Sequence, residues 1–249
     1  MPDELPAEIV ATERPGSFVL RMGGAEQSHV DLEDPTRLAF SYVRRLADLI
    51  DACTDPGTQL RVVHVGGAGL TLPRYVAATR PRSSQVVLEP AEAVTELVRR
   101  ELPLPARSGI RVRGVDGRTG LTGLRDGWAD AVVVDAFVGD RVPPELVTAE
   151  ALADMARVVA DRGVLALNVT DRAPFRWTRG IVAGLGDAGL AVVLTSESPT
   201  LRGRGPGNLV LVATRSPLPL AQLRTAAGRD DPPWRYLDRR QTRDAFGGG

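Results

Sequence analysis

The sequence predicts an α/β protein with a Rossmann-like, doubly wound and mostly parallel sheet. Short apolar runs alternate with helical patterns from about residue 59 to residue 214. One run, ADAVVVDAF at 129–137, is apolar at consecutive positions, which is typical of a strand buried on both faces of a parallel sheet. Another stretch, RVVHVGGAGLT at 61–71, ends in glycines, as strands do where the backbone approaches a nucleotide. The alternation and these two stretches together predict the fold class.

The predicted elements follow this alternation along the chain. Strands are predicted at 59–65, 85–89, 110–115, 129–137, 164–169, 191–197 and 208–214, and helices at 70–80, 91–102, 148–160 and 175–189. In the second of these helices, Val94, Val98 and Leu102 fall on one face at helical spacing. The sheet should therefore have seven strands, and the last two should form a closing antiparallel hairpin.

Composition and pattern divide the chain into three regions. Residues 1–55 should form a small N-terminal β segment and a linking helix, and residues 56–215 should form the Rossmann-like domain. Residues 216–249 are rich in proline, arginine and aspartate and end in three glycines. We predict that they form a C-terminal extension, with about the last ten residues disordered.

Composition also excludes several classes of function. The formal net charge is zero, so no global field favours a nucleic acid or an anionic membrane as a partner. All 31 basic residues are arginine, which excludes a Schiff-base lysine and the lysine of a phosphate-binding P-loop. The N-terminal MPDELPAEIV lacks the features of a signal peptide, and no apolar run is long enough to cross a membrane. These features predict a cytoplasmic protein.

The glycine turn does not fit a nicotinamide cofactor. That fingerprint is G-x-G-x-x-G, and the run that begins at Gly67 has Leu72 where the third glycine would allow close helix packing. A nicotinamide-dependent oxidoreductase is therefore the least favoured interpretation.

Two acidic residues favour a nucleoside instead. Glu89 ends the next predicted strand, where a carboxylate can accept hydrogen bonds from both ribose hydroxyls. Asp116 follows the third strand, from which a carboxylate can accept a hydrogen bond from the adenine amine. Either acid alone could equally cap a turn. Together with Gly66, Gly67 and Gly69, they indicate a pocket for a nucleoside of the S-adenosylmethionine type.

Asp135 is the candidate general base. It follows three valines at the end of the fourth predicted strand, and such a dry environment raises a carboxyl pKa toward the range that suits proton transfer. Asp140 lies in the following loop, and a pair of carboxylates without a lysine would attract a cationic amine. The alternative is that Asp135 only caps the turn. Tyr75 and Phe137 are candidates to line the pocket, whereas His64 is expected to pack within its strand.

These residues resemble the spermidine synthases, which are polyamine aminopropyltransferases built on the class I S-adenosylmethionine-dependent methyltransferase fold. The GGGDGG turn of that family is similar to residues 66–71, and its ribose-binding acid matches Glu89. Its adenine-side acid matches Asp116, and its D-x-x-D run begins at Asp135. The stretch AEQSHVDLEDP offers Gln27 as the glutamine that precedes the linking helix in the family.

The resemblance runs from about residue 18 to residue 214 and includes three departures. The aspartate of the family's glycine turn falls at Gly69, and the second acid of its V-E-I-D run falls at Ala91. The second aspartate of D-x-x-D falls at Val138.

The resemblance implies an aminopropyltransferase whose co-substrate is decarboxylated S-adenosylmethionine and which needs no metal. The residues it implies at the co-substrate are Gly66, Gly67, Gly69, Glu89, Asp116 and Gln27. It further implies that Asp135 deprotonates putrescine or a related amine, that Gln27 and Asp140 lie on the amine side, and that the protein is a homodimer. Two other interpretations stay open. One is a small-molecule methyltransferase that uses ordinary S-adenosylmethionine, and the other is a catalytically silent homologue that binds the nucleoside.

Overall fold

A small antiparallel sheet forms the N-terminal part of the structure. The computed structural model describes residues 6–139 and 141–247. The strands of the small sheet are β1 (Ala7–Ala11), β2 (Ser17–Met22) and β3 (Ala25–Asp31), which lie in that order. The small N-terminal β segment predicted from the sequence is confirmed.

A second, larger sheet has the predicted Rossmann-like architecture. Its strands are β4 (Arg61–Val65), β5 (Ser84–Leu88), β6 (Ile110–Arg113), β7 (Ala129–Val134), β8 (Val159–Asp171), β9 (Ala191–Glu197), β10 (Gly207–Thr214) and β11 (Trp234–Leu237). They lie in the order β11-β9-β10-β8-β7-β4-β5-β6. The pairs among β4, β5, β6, β7 and β8 are parallel, whereas β10 pairs antiparallel with both β8 and β9. The mostly parallel α/β sheet and its closing antiparallel hairpin are therefore confirmed.

Helices cover both faces of the large sheet. They are α1 (Ser41–Cys53), α2 (Thr71–Thr79), α3 (Glu92–Glu101), α4 (Gly117–Thr122), α5 (Ala149–Val158), α6 (Arg176–Asp187), α7 (Ser198–Leu201), α8 (Leu220–Ala227) and α9 (Arg239–Phe246), with a short 3₁₀ helix at Pro144–Leu146. In β7, Val132 and Val134 pack in one hydrophobic cluster with residues of α5 and α6. Ala131 and Val133 pack in another cluster with residues of α1 and α2. Alternate residues of this strand thus reach opposite faces, which explains its continuous apolar run.

The small sheet packs against the glycine turn that follows β4. Leu20 of β2 and Val30 of β3 share a hydrophobic cluster with Leu70, Val87 and Val94. Because of this packing, β3 runs beside the turn, and the two sheets together enclose the C-terminal ends of β4, β5 and β7.

The large sheet has one strand more than the seven predicted. The extra strand, β11, comes from the region after residue 215 and pairs with β9 at the edge of the sheet. It forms a strand because Trp234 and Tyr236 bury their aromatic rings there, at 3% and 5% exposure. Asp230, just before β11, forms ion pairs with Arg44 and Arg45 of α1, at 3.1 and 3.3 Å. The polar composition of this region did not reveal these contacts.

The last ten residues were expected to be disordered, but residues up to Phe246 belong to the helix α9. This helix begins with a capping box made by Asp238 and Gln241. It ends in Phe246, whose buried ring lies 5.4 Å from that of Phe175. Residues 248 and 249 lie outside the described residues. The division of the chain at residues 55 and 215 stays a prediction.

Candidate active site

A cavity of about 560 Å³ lies where β4, β5 and β7 end beneath the small sheet. Six of the eight residues predicted to bind the co-substrate or the amine, or to act as the base, line it, namely Gln27, Gly66, Gly67, Glu89, Asp116 and Asp135. Phe137 also lines the cavity. Tyr75 instead donates a hydrogen bond to Asp51 and packs in the core beside α1. Asp140 lies outside the described residues.

Gly66 brings the turn into contact with the strand that carries Asp135. Its backbone has a φ of +90°, and a Cβ added there would lie 2.3 Å from the carbonyl oxygen of Asp135. A glycine is required at this position because no other residue tolerates both the conformation and the close approach. The Gly66 amide donates to the carbonyl of Leu88 at 2.9 Å.

Gly69 packs against the small sheet rather than lining the cavity. Its amide donates to Ser28 Oγ at 3.0 Å. A Cβ added at Gly69 would lie 2.7 Å from Ser28 Cβ and 3.0 Å from Val30 Cγ2. The structure therefore has no room for the aspartate that the resembling family carries at this point of the turn.

Glu89 holds the glycine turn through its carboxylate. Its Oε2 accepts hydrogen bonds from the amides of Gly67 and Ala68, at 2.8 and 3.2 Å, and its Oε1 accepts from Ala91 at 3.0 Å. The Leu70 amide is also paired, with the carbonyl of Gly67 at 2.7 Å. Every amide from Gly66 to Leu70 thus has a partner within the protein, and the turn presents a carboxylate instead of free N–H donors. Such a turn is unsuited to a pyrophosphate, which binds through free backbone amides.

Asp116 caps α4 at the far side of the cavity. Its side chain accepts a hydrogen bond from the Thr119 amide at 2.8 Å, and this bond lowers the pKa of the carboxyl group. The carboxylate is therefore charged at neutral pH. It is also solvent-exposed, so its remaining lone pairs are available to a ligand.

Asp135 sits in a polar cluster with two residues from distant parts of the chain. Asn168 Nδ2 donates to Asp135 Oδ1 at 2.9 Å, and the Tyr42 hydroxyl also hydrogen-bonds to the carboxylate. Burial raises the pKa of Asp135, and the two hydrogen bonds oppose this rise. Asn168 is 1% exposed, and its Oδ1 has no hydrogen-bond partner among the described residues. A polar residue after the apolar run VLAL signals Asn168 in the sequence, whereas nothing there distinguishes Tyr42.

His64 lies beside this cluster but plays a structural part. Its Nε2 hydrogen-bonds to Gln85 Oε1 at 2.9 Å, and Gln85 in turn donates to the carbonyl of Pro73. Burial lowers the pKa of His64 to about 4, so the ring is neutral at physiological pH.

The cavity carries an excess of negative charge. Its described acidic residues are Glu89, Asp116, Asp135 and Glu145. Arg118, the described cation that faces them, is paired with Asp154 at 2.8 Å. No group of acidic, histidine or cysteine side chains in the described ranges could hold a metal ion. An acidic cavity of this kind favours cationic ligands.

The sheet order and the cavity at the strand ends define a Rossmann-like protein of the class I methyltransferase fold. No protein-family model matches the chain. A polyamine aminopropyltransferase of Vibrio vulnificus is 29% identical over 157 residues, which are 61% of this chain and 51% of that protein. The chain thus spans about half the length of this curated relative.

Solved structures show the same architecture. A probable spermidine synthase from Corynebacterium glutamicum aligns with a TM-score of 0.91 and 24% identity, over 97% of this chain and 90% of that one. A spermidine synthase in complex with the transition-state analogue AdoDATO aligns with a TM-score of 0.65 and 13% identity, over 100% of this chain and 84% of that one. Sequence and fold together confirm the predicted resemblance to the spermidine synthase-like family.

Proposed function

We propose that the protein is an aminopropyltransferase that moves the aminopropyl group of decarboxylated S-adenosylmethionine to putrescine or a related amine. The observation that carries this proposal is Asp135, a carboxylate of raised pKa at the end of an acidic cavity, where Tyr42 and Asn168 contact it. Both the sulfonium and the amine are cations, which this cavity attracts. The similarity to polyamine aminopropyltransferases supports the same reaction.

The reaction is a single displacement in which Asp135 accepts one proton. The ammonium of the acceptor loses that proton to the carboxylate, and the freed lone pair forms a bond to the aminopropyl carbon. The carbon–sulfur bond breaks, and its electron pair neutralises the sulfonium as 5′-methylthioadenosine. Glu89 and Asp116 would hold the ribose and the adenine, which positions the carbon in line with the amine.

The pairing of the turn amides supports the decarboxylated form of the co-substrate. Ordinary S-adenosylmethionine carries an α-carboxylate, which needs N–H donors or a cation. Here the amides from Gly66 to Leu70 are already paired, Glu89 adds a negative charge, and Arg118 is engaged by Asp154. A methyltransferase that uses the ordinary form is the competing proposal. The resemblance also supports proposing a homodimer, which light scattering would test.

The test is to incubate the protein with putrescine and either form of the nucleoside. We expect 5′-methylthioadenosine only with the decarboxylated form, and an acid limb in the pH profile of kcat/KM set by the pKa of Asp135. Asp135→Asn should abolish turnover while calorimetry still detects nucleoside binding. The control is Asp126→Asn, which changes the same charge at a side chain that is 80% exposed. S-Adenosylhomocysteine formation from the ordinary form would favour the methyltransferase, and failure to bind either nucleoside would exclude both.

A further inference from the structure

The strand order places the predicted site residues at two opposite ends of the cavity. In the sheet order, β7 lies on one side of β4, and β5 and β6 lie on the other. Asp135, after β7, is therefore at the opposite end from Glu89 and Asp116, which follow β5 and β6. If those two acids hold the nucleoside, the acceptor occupies the end at Asp135.

A polar cluster stands at this acceptor end. It consists of Asp135, the Tyr42 hydroxyl and the amide of Asn168. Asn168 Oδ1 is buried without a partner among the described residues, and Asn168 supports Asp135 from behind the cavity wall. One primary amine nitrogen would be enough to occupy the cluster.

Apolar and aromatic side chains surround that cluster. Phe40 lines the cavity and stacks on Tyr42, with ring centroids 5.9 Å apart and an interplanar angle of 19°. Val43 follows Tyr42 on α1, and Phe137 and Val138 follow closely behind Asp135.

Val138 carries this apolar wall out to the rim of the cavity. This residue is 71% exposed, whereas the other large hydrophobic residues in the described part of the chain are buried or only partly exposed. A single exposed valine is ordinary on a protein surface. At this rim, however, an acceptor that extends out of the cavity would cover it. Glu145, which also lines the cavity, is in the short 3₁₀ helix that packs against α4, at the end of the cavity where Asp116 lies. Among the described carboxylates, Asp135 is therefore the one placed at the acceptor end.

We propose that the preferred acceptor is a primary monoamine with an apolar alkyl or arylalkyl body, rather than a diamine. This inference rests on the proposed aminopropyl transfer and concerns the same displacement at the amine nitrogen. A second ammonium at the far end of a diamine would lose hydration against Phe40, Phe137 and Val138 without gaining a described carboxylate. An alkyl or aryl body would instead exchange water for apolar contact.

The test compares amines that differ in one group at a time. 1-Aminobutane and putrescine have the same carbon chain and differ by a single terminal ammonium. With decarboxylated S-adenosylmethionine as donor, we expect kcat/KM for 5′-methylthioadenosine release to be about tenfold or more higher with 1-aminobutane. 1-Aminohexane should raise it further, by about fourfold for each added methylene group that becomes buried. 2-Phenylethylamine should also exceed putrescine.

A pair of variants tests the role of the rim residue. Val138→Asp introduces a carboxylate where a second ammonium would lie, and we expect it to raise the ratio of putrescine to 1-aminobutane use about tenfold. Val138→Asn, which is polar but uncharged, is the matched control and should leave that ratio nearly unchanged.

The outcomes separate this proposal from the proposed function. If methylthioadenosine forms equally well or better with putrescine, the protein is an aminopropyltransferase and the monoamine preference is refuted. If Asp140→Asn then removes the preference for putrescine, Asp140 is the second carboxylate. If no amine in the panel releases methylthioadenosine, the aminopropyl transfer itself fails, and the monoamine proposal fails with it.

Discussion

Adding a side chain at Gly69 should destabilise the protein by crowding β3. A Cβ there would lie 2.7 Å from Ser28 Cβ and 3.0 Å from Val30 Cγ2, and both residues are buried. Overpacking of this kind costs about 1–3 kcal/mol. Gly69 does not have the left-handed conformation, so the reduced entropy of the unfolded chain offsets about 0.4–1 kcal/mol. We therefore expect Gly69→Ala to lose about 1–2 kcal/mol, and Gly69→Asp to lose more because it also buries a carboxylate.

The assay is unfolding by urea and by heat. For a chain of this size, a loss of about 1–2 kcal/mol corresponds to a fall in Tm of roughly 2–8 °C. Gly180→Ala is the matched control, because a Cβ at this position in α6 meets no atom within 4 Å. That variant should gain about 0.5–1 kcal/mol through helix propensity.

A second substitution tests whether Ser28 Cβ is the atom that a side chain at Gly69 would crowd. Ser28→Gly removes the nearer of the two contacts, so Gly69→Ala should cost less in that background, with a coupling energy of about 1 kcal/mol or more. The reasoning would be refuted if Gly69→Ala were as stable as the unsubstituted protein, or if the two substitutions were additive.

Two further predictions concern titrating groups. Burial raises the pKa of Asp135, so the contribution of this residue to stability is present at acid pH and is lost as the pH rises through that pKa. Asp135→Asn should therefore be more stable than the parent protein at pH 7. A lower Tm for Asp135→Asn than for the parent protein at pH 7 would contradict this prediction. Burial lowers the pKa of His64 from 6.5 to about 4, so its contribution is complete above pH 6.5 and should fall by about 2 kcal/mol by pH 5. Urea unfolding at both pH values should show a smaller pH dependence in His64→Gln, and an unchanged dependence would exclude His64 as the source.

The sequence predicts the large sheet because its signals are local. The continuous apolar run of β7 and the glycines after β4 reflect burial on both faces and a tight turn, which a short stretch of chain expresses by itself. Glu89, Asp116 and Asp135 follow three strands of the large sheet and line one cavity, since parallel strands end at one edge of a sheet. The sequence does not predict β11 because the burial of this strand depends on β9, which is distant in the chain.

The details of the site were not accessible from the sequence because they depend on distant pairs of residues. Ser28 and Gly69 are 41 positions apart, and Asp135 and Asn168 are 33 positions apart. Nothing local to Glu89 shows that two of its hydrogen bonds hold the glycine turn. A motif identifies the residue types at such a site, whereas their partners follow from the packing of the two sheets.

The ion pairs between Asp230 and α1 have a consequence for the order in which the site is completed during synthesis. Arg44 and Arg45 are on the helix that carries Tyr42, and α8 packs against that helix. During translation, α1 leaves the ribosome before Asp230 does, so the support for Tyr42 arrives only after the strands up to β10 have been synthesised. A ribosome-bound intermediate that ends at about residue 215 would already contain Asp135 and Asn168. The wall that carries Tyr42 would still lack the ion pairs to Asp230, so the site should be completed only after Asp230 has been synthesised.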